Sequence, residues 1–347
     1  METQIRVLIN NCGSQAVDII DLLHKGNIYV VYLSAEESDA IKAVADEFIL
    51  EKKEANNDIL LYCVYLINMC KENNIDIFIP FKKMEEIAKR NNFFEKHGVK
   101  VLVPKDGEEF VKLNNKFSTY ELLKEVVPEA IPEYYLVKNL SDFKSAFNNL
   151  TEARKEICMK YVTDIASNSF RIINTKNHSF KELDIKTPAQ KSKIAHSEDY
   201  NAIVEMFEKG NLPRDLIVME YISGMEVSCD CLKTSKGNII VPRIKINDKV
   251  QSICKNENIM KYCEAILNYI SYNTPCNIQF KLKEDGTPML LEVNTRMSGG
   301  VMISSWATDI NIPLIAVYDA LGIDFDLELN WKDVKMISRM SFDRVYG

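Results

Sequence analysis

The sequence predicts an α/β protein of three units: a parallel-sheet unit over residues 1–108, a small middle unit over 109–219, and an antiparallel-sheet unit over 220–347. Three observations carry that expectation. Strand-type and helix-type segments alternate through residues 5–103, the pattern of a doubly wound parallel sheet. An Asp285-Gly286 pair joins two alternating runs, a strong hairpin signal. The chain has 347 residues, of which 46% are hydrophobic and 27% charged, enough for several globular cores.

Taken in order, Ile5 to Ile9 is a buried-type strand, Asn10 to Ser14 a turn and Ala16 to Leu23 a helix. Strands follow at 29–33, 48–50, 75–80 and 99–103, with helices at 37–45, 58–72 and 83–95 between them. Gly13 follows the first strand without a GxGxxG, so a tight turn is the first reading and a ligand loop the second. Asn10, Asn11 and Gly13 stand where parallel sheets bind ligands, at a strand's carboxyl end. Residues 104–111 read as a connector and 117–126 as a helix, with Lys116 at its start. A helix at 141–150 precedes the strand Glu156 to Lys160, a polar loop from Tyr161 to Ser169, and a returning strand at 170–173. Thr175 to Ala195 is lysine-rich and reads as a mobile insertion, followed by a helix at 199–208. Asp215 to Ile222 is a strand that becomes a linker. Ser223 to Leu232 begins the last unit, with strand-like alternation at Cys229 and Cys231, and 239–245 is a strand with Arg243 and Lys245 on one face, toward either an acidic substrate or water. A helix at 258–271 leads into the hairpin; helices at 302–308 and 313–321 and a strand from Trp331 to Phe342 follow.

The hairpin is the most informative stretch. With Asp285-Gly286 as a two-residue loop, Glu284 faces Thr287, Gln279 faces Glu292, and Asn277 faces Asn294. Alternation puts these polar residues on one face, and Ile278, Phe280, Leu291 and Val293 on an apolar one. Opposed Cβ atoms lie about 4.5–5.5 Å apart, so one carboxylate and amide oxygens converge where a hard cation fits. Magnesium takes one or two carboxylates plus phosphates and water. Arg296 and the turn Ser298-Gly299-Gly300 follow, and exposed backbone N–H groups suit an anion. A half-buried sheet face with satisfied polar groups is the plainer alternative.

Asn277-Ile278-Gln279-Phe280, with Leu291-Glu292-Val293-Asn294-Thr295-Arg296-Met297-Ser298-Gly299-Gly300, resembles the metal-binding core of ATP-grasp enzymes. It is most similar to the carbamoyl-phosphate-synthase-like branch, which includes the pyrrolysine-biosynthesis ligase. The resemblance implies an N-terminal Rossmann-like domain, a lid subdomain and a C-terminal subdomain carrying the metals, with ATP between the last two. It implies that Gln279, Glu292 and Asn294 hold two magnesium ions, with manganese as a substitute, and that Arg296 is catalytic near the transferred phosphoryl group. Lys116 and Lys160 fall on phosphate-binding positions, and Lys160 also on a catalytic one; an ordinary solvated lysine is the alternative for Lys116. Glu220, Tyr221 and Ile222 resemble the adenine hinge, and Glu226 the ribose ligand. The phosphate lid carries several glycines in the family. Here it has none, which leaves Ser167, Asn168 and Ser169 as donors.

The function expected is ATP-dependent joining of a small carboxylate, such as an amino acid, to an amine, with ADP and phosphate released. A carbamoyl-phosphate-type kinase and a non-catalytic nucleotide-binding module are the alternatives. The net charge of −7 argues against a general nucleic-acid partner. No apolar run reaches about 18 residues, so no membrane span is expected, and no leader is read at the N-terminus. Nine cysteines without a CxxC fit free thiols in a cytoplasmic protein. The four histidines lack metal-ligand spacing. A homodimer is an expected assembly.

Overall fold

The computed structural model describes residues 4–52, 58–163, 169–174, 197–210, 214–247, 250–332 and 336–338. Ser167, Asn168 and the insertion at 175–195 therefore lie outside the described residues. Two compact units emerge. The first joins Met1–Leu113, Met225–Phe280 and Leu291–Gly347; the second joins Asn114–Gly224 and Lys281–Leu290.

The first unit opens with β1 (Arg6–Asn10), β2 (Tyr29–Ser34), β3 (Glu47–Leu50) and β4 (Ile77–Pro80), a parallel sheet of order β3-β2-β1-β4. Val7, Leu8 and Ile9 are wholly buried, as a strand covered on both faces requires. Helices α1 (Ala16–His24), α2 (Asp39–Lys42) and α3 (Ile59–Glu72) alternate with these strands. Asp58 caps α3 by accepting from the Leu60 and Leu61 amides, relieving two of the helix's orphan donors. The expected helix at 83–95 is two pieces, α4 (Met84–Ala88) and α5 (Asn91–Lys96). The expected strand at 99–103 is reduced to one bridge between Phe78 and Val101. The segment read as a connector contains α6 (Gly107–Asn114), whose Phe110 and Leu113 are buried.

The second unit contains α7 (Lys116–Leu123), β5 (Tyr134–Val137), α8 (Leu140–Glu152), β6 (Ile157–Tyr161), β7 (Arg171–Asn174), β8 (Ser197–Asp199), α9 (Tyr200–Glu208) and β9 (Leu216–Glu220). Its sheet runs β5-β9-β6-β7-β8. Only the β7–β8 pair is parallel. Phe143 and Phe147 of α8 pack on Tyr200 and Phe207 of α9 at 4.5–5.6 Å between ring centroids, giving the unit a core of its own.

The chain then returns to the first unit with β10 (Glu226–Thr234), β11 (Gly237–Lys245), β12 (Val250–Ile253), α10 (Glu257–Tyr269), β13 (Cys276–Leu282), β14 (Pro288–Asn294), α11 (Val301–Thr308), α12 (Ile312–Leu321) and β15 (Ile337–Ser338). This sheet runs β14-β13-β10-β11-β12-β15. One core mixes Val7, Ile9 and Ile19 with Leu232, Val241, Met297 and Ile315, so the N-terminal sheet unit and the C-terminal elements share their burial. Strand β12 was not read from the sequence, because Val250–Ile253 has one turn and no long apolar run to mark it. The closing strand is two described residues long. Among the described residues no single helix is long and apolar enough to cross a membrane.

The hairpin forms, but its turn differs from the two-residue loop expected. The Lys283 amide donates to the Thr287 carbonyl at 2.8 Å, and the Gly286 amide to Lys283 at 2.9 Å. The loop is therefore Glu284-Asp285-Gly286, and the pairing expected from a two-residue loop, Glu284 with Thr287, Gln279 with Glu292 and Asn277 with Asn294, is not the one this turn sets. Gly286 takes φ 84°, the left-handed position of a glycine bulge. Asp285 supports it by accepting from the Thr287 amide.

Candidate active site

The polar face of the hairpin is built from buried groups outward. At its base lies Asp230, only 2% exposed, beside Arg243, 1% exposed. In the β10–β11 register Ser228 opposes Arg243 and Asp230 opposes Val241, so the two charges are diagonal neighbours on one face. Arg243 Nε donates to Asp230 Oδ2 at 3.0 Å, and its Nη2 lies 2.9 Å from the same oxygen. The guanidinium also donates to Ser304 and Ser298, each at 2.9 Å, and to Gln251. Asp230 accepts further from Ser298 Oγ, Ser304 Oγ and Asn277 Nδ2 at 2.5–2.9 Å. A buried ion pair needs such complete hydrogen bonding to offset its desolvation. Arg243 thus faces neither substrate nor water, while Lys245 pairs with Glu226 on the half-exposed end of the strands.

Asn277 is 1% exposed, so it is not one of the outward amides expected on that face. Its Nδ2 donates to Asp230 and to the Cys229 carbonyl; its Oδ1 accepts from Ser228 Oγ and from Gln279 Nε2, both at 3.1 Å. Gln279, Glu292 and Asn294 are all half-buried. Asn294 Nδ2 donates to Glu292 Oε1 at 2.9 Å. Each of the two outer amides directs its N–H at a neighbour and keeps its oxygen as an acceptor. One carboxylate and two amide oxygens are hard donors that fit magnesium and not a soft metal. Among the described residues no three His, Cys, Asp or Glu side chains cluster as a metal site, so any metal here has to draw on those amides.

Arg296 is exposed on the turn after β14. Ser298 Oγ accepts from the Gly300 amide at 3.0 Å and fastens that turn to Asp230. Gly300 has no room for a side chain, since a Cβ there would fall within 3.0 Å of three guanidinium atoms of Arg243. The turn lies in the same unit as the loop after β1. There the charge of Arg296 acts on the Cys12 thiol, although burial dominates and pushes that thiol up. Asn10 is fully buried and is a clamp between strands: Oδ1 accepts from the Phe81 and Lys82 amides, and Nδ2 donates to Tyr62. That correction leaves Asn11 and Gly13, both at positive φ, as the candidates at that strand end.

In the second unit the two lysines are brought together through the backbone. Asn115 caps α7 by accepting from the Ser118 amide, and the Lys116 amide donates to Val162 at 2.8 Å. Lys160 sits two residues before Val162 on β6. Lys116 and Lys160 are 8% and 7% exposed, so neither is an ordinary solvated lysine. Ser169 Oγ accepts from the Tyr161 amide at 2.8 Å, closing the mouth of the loop. Glu220 is buried, and its carboxylate is held by Lys155 at 2.8 Å and Lys283 at 3.4 Å. Tyr221 packs beside Phe170 and Lys281, and burial pushes its hydroxyl up. Ile222 is buried. Gly224 is required, because a Cβ there would collide with the Leu282 carbonyl oxygen. Glu226 belongs to the first unit, apart from the Glu220 hinge in the second.

Sequence reasoning missed Asp230, Arg243 and Asn277 as a network. The signal was there: Asp230 stands between Cys229 and Cys231 in the middle of the strand, where its neighbours from Val227 to Leu232 are apolar or small.

A family model described as ATP-grasp in the biosynthetic pathway with Ter operon matches residues 213–340. The carbamoyl phosphate synthase large chain of Thermoanaerobacter pseudethanolicus is 30% identical over 125 residues, 31% of this chain; the match spans 12% of that relative's length. The fold is similar to Staphylococcus aureus N5-carboxyaminoimidazole synthetase complexed with ADP, with TM-score 0.68 and 14% identity over 95% of this chain and 81% of that one. It is also similar to an L-amino acid ligase from Bacillus licheniformis, with TM-score 0.62 and 14% identity over 92% of this chain and 75% of that one.

Proposed function

We propose a function from one premise: the chain belongs to the ATP-grasp superfamily. It is an ATP-dependent ligase that joins a small carboxylate to an amine. The observation that carries this reading is the donor set of Gln279, Glu292 and Asn294 beside the exposed Arg296 turn. That set suits distal phosphates and magnesium more than it suits acid–base chemistry on a carbon centre. Bound there, magnesium would neutralise phosphate charge and orient the phosphoryl group.

The chain's own groups do the rest. Arg296 stabilises the charge that builds on the transferred phosphoryl group. Lys116 and Lys160, held in a dry setting, offset phosphate charge, and Ser167, Asn168 and Ser169 supply donors in place of lid glycines. The Glu220–Ile222 segment holds adenine through its backbone, since the Glu220 carboxylate is occupied by two lysines. Glu226 receives the ribose hydroxyls in exchange for Lys245. The substrate carboxylate oxygen attacks the γ-phosphorus as the bond to ADP breaks. The amine then attacks the acyl carbon of the mixed anhydride, and phosphate leaves. The division at 1–108, 109–219 and 220–347 is kept as a division of roles, while burial follows the two units described.

The test is interception of the acyl phosphate. With ATP, magnesium, hydroxylamine and a panel of amino acids, the correct carboxylate yields a hydroxamate and ADP in equal amounts. AMP and pyrophosphate as the stoichiometric products would refute the mechanism. The match to a carbamoyl phosphate synthase chain favours one second reading, phosphorylation of bicarbonate or carbamate. It predicts bicarbonate-dependent ADP release with no organic acid present.

A further inference from the structure

We infer that Asp230 and Asn277 are positioning residues that fix which atom of Gln279 meets the metal. The inference rests on the reading of Gln279 as a metal ligand. An amide side chain has a donor end and an acceptor end of nearly equal size, so a glutamine ligand can present the wrong one. In this fold the choice is forced by a chain of partners. The Asp230 carboxylate pairs with Arg243 and accepts from every partner around it. Asn277 must therefore turn its Nδ2 toward Asp230 Oδ1, 2.9 Å away, and toward the Cys229 carbonyl, 3.0 Å away. Its Oδ1 is then directed at Gln279, which must answer with Nε2 at 3.1 Å. Gln279 Oε1 is consequently the end left to face outward.

The relay is rigid because its base is. Asp230, Asn277 and Arg243 are each at most 2% exposed, and Ser228 supplies a second donor to Asn277 Oδ1. Reversing Asn277 would set a carboxylate and a carbonyl against an amide oxygen, two repulsive contacts in a dry site. The same carboxylate fastens Ser298, hence the turn that follows Arg296.

A double-mutant cycle separates positioning from simple structural support. Asn277→Ala frees the Gln279 amide to rotate. The magnesium concentration that half-saturates ATP binding, followed by calorimetry, should rise by about tenfold or more, the scale of losing such an outer partner. A carboxylate at position 279 has two equivalent oxygens and needs no orientation. In a Gln279→Glu background, Asn277→Ala should therefore change the magnesium requirement by less than about twofold, a coupling that the cycle isolates. Manganese binding to the ADP-saturated protein, read by water-proton relaxation, gives the same comparison without turnover. Asn277→Leu keeps the volume if the alanine variant folds poorly. An equal cost in the parent and Gln279→Glu backgrounds, or no cost in the parent, overturns the relay. Gln279→Ala distinguishes the cause: if it too leaves the magnesium requirement unchanged, the metal-ligand reading fails as well; if it raises it, only the relay fails.

Discussion

Gly300→Ala is a small change with a large expected cost. The backbone at Gly300 has φ −104°, which alanine adopts freely, so strain in the main chain is not the reason. The new methyl group would fall within 3.0 Å of three guanidinium atoms of Arg243. Ordinary contact needs about 3.5 Å or more between such atoms. The guanidinium must retreat, and its bonds to Asp230, Ser298 and Ser304 now stand at 2.9–3.0 Å. A shift of about 1 Å takes them outside hydrogen-bond range. Breaking a buried charge pair costs about 3–5 kcal/mol, against a net stability of about 5–15 kcal/mol for a typical domain. Both tryptophans, Trp306 and Trp331, lie in the first unit. Their fluorescence in a urea titration therefore follows the unit that holds Gly300. The midpoint should fall sharply in Gly300→Ala. Added to Arg243→Gln, whose shorter side chain makes room, the same alanine should cost little more. A Gly300→Ala midpoint equal to the parent's would refute the account of Arg243 as a tightly enclosed buttress.

Three further outcomes are expected. Glu292→Gln keeps the fold but lowers magnesium-dependent ADP release by roughly hundredfold or more, the scale of removing one charge-stabilising group; near-normal release would remove Glu292 from the site. Lys160→Met weakens ATP binding by calorimetry; unchanged affinity would take Lys160 out of the phosphate site. Burial pushes the Cys70 and Cys158 thiols from 9.0 up to about 12. The fold holds them protonated, so their contribution is complete below about pH 9 and is lost as pH rises through about 12. Urea midpoints at about pH 8 and about pH 10.5 should show that fall, and Cys70→Ala should reduce it.

What could be read in the sequence was whatever local chemistry encodes. Alternation of strand and helix gave the parallel sheet, whereas the caps Asp58, Asn115, Asn139 and Asn256 at helix starts are a finding of the structure. The Asp-Gly pair marked the hairpin, but loop length depends on whether glycine closes a two-residue turn or a bulge, and a dipeptide does not decide that. Helix α6 was missed because its stripe is short, just Phe110 and Leu113 within a charged segment. The sharing of one face of β14 by Glu292 and Asn294 was legible from period two alone, although the three-residue loop does not set the expected opposition of Gln279 and Glu292. The foundation of that face was not, because Asp230, Arg243, Asn277 and Ser298 come from different segments and meet only when β10, β11, β13 and the Arg296 turn have assembled.

That foundation also explains why an amide can stand where a carboxylate would bind a cation more strongly. A glutamate at position 279 would add a second negative charge beside Glu292, facing a ligand whose phosphates are already strongly negative. Glutamine removes that repulsion, and Arg296 is then opposed by one fewer anion when charge develops on the transferred group. The cost of the exchange is ambiguity, since an amide presents its oxygen only if something fixes its orientation. A solvent-exposed glutamine has nothing to fix it. Here the fixing charge is Asp230, one side chain removed from the ligand and buried against Arg243. The negative charge thus sits where Arg243 neutralises it and where Asn277 passes on only its direction. A Gln279→Glu variant should accordingly bind magnesium more tightly yet transfer the phosphoryl group more slowly. Tighter metal binding together with faster transfer would show that the amide serves no such purpose.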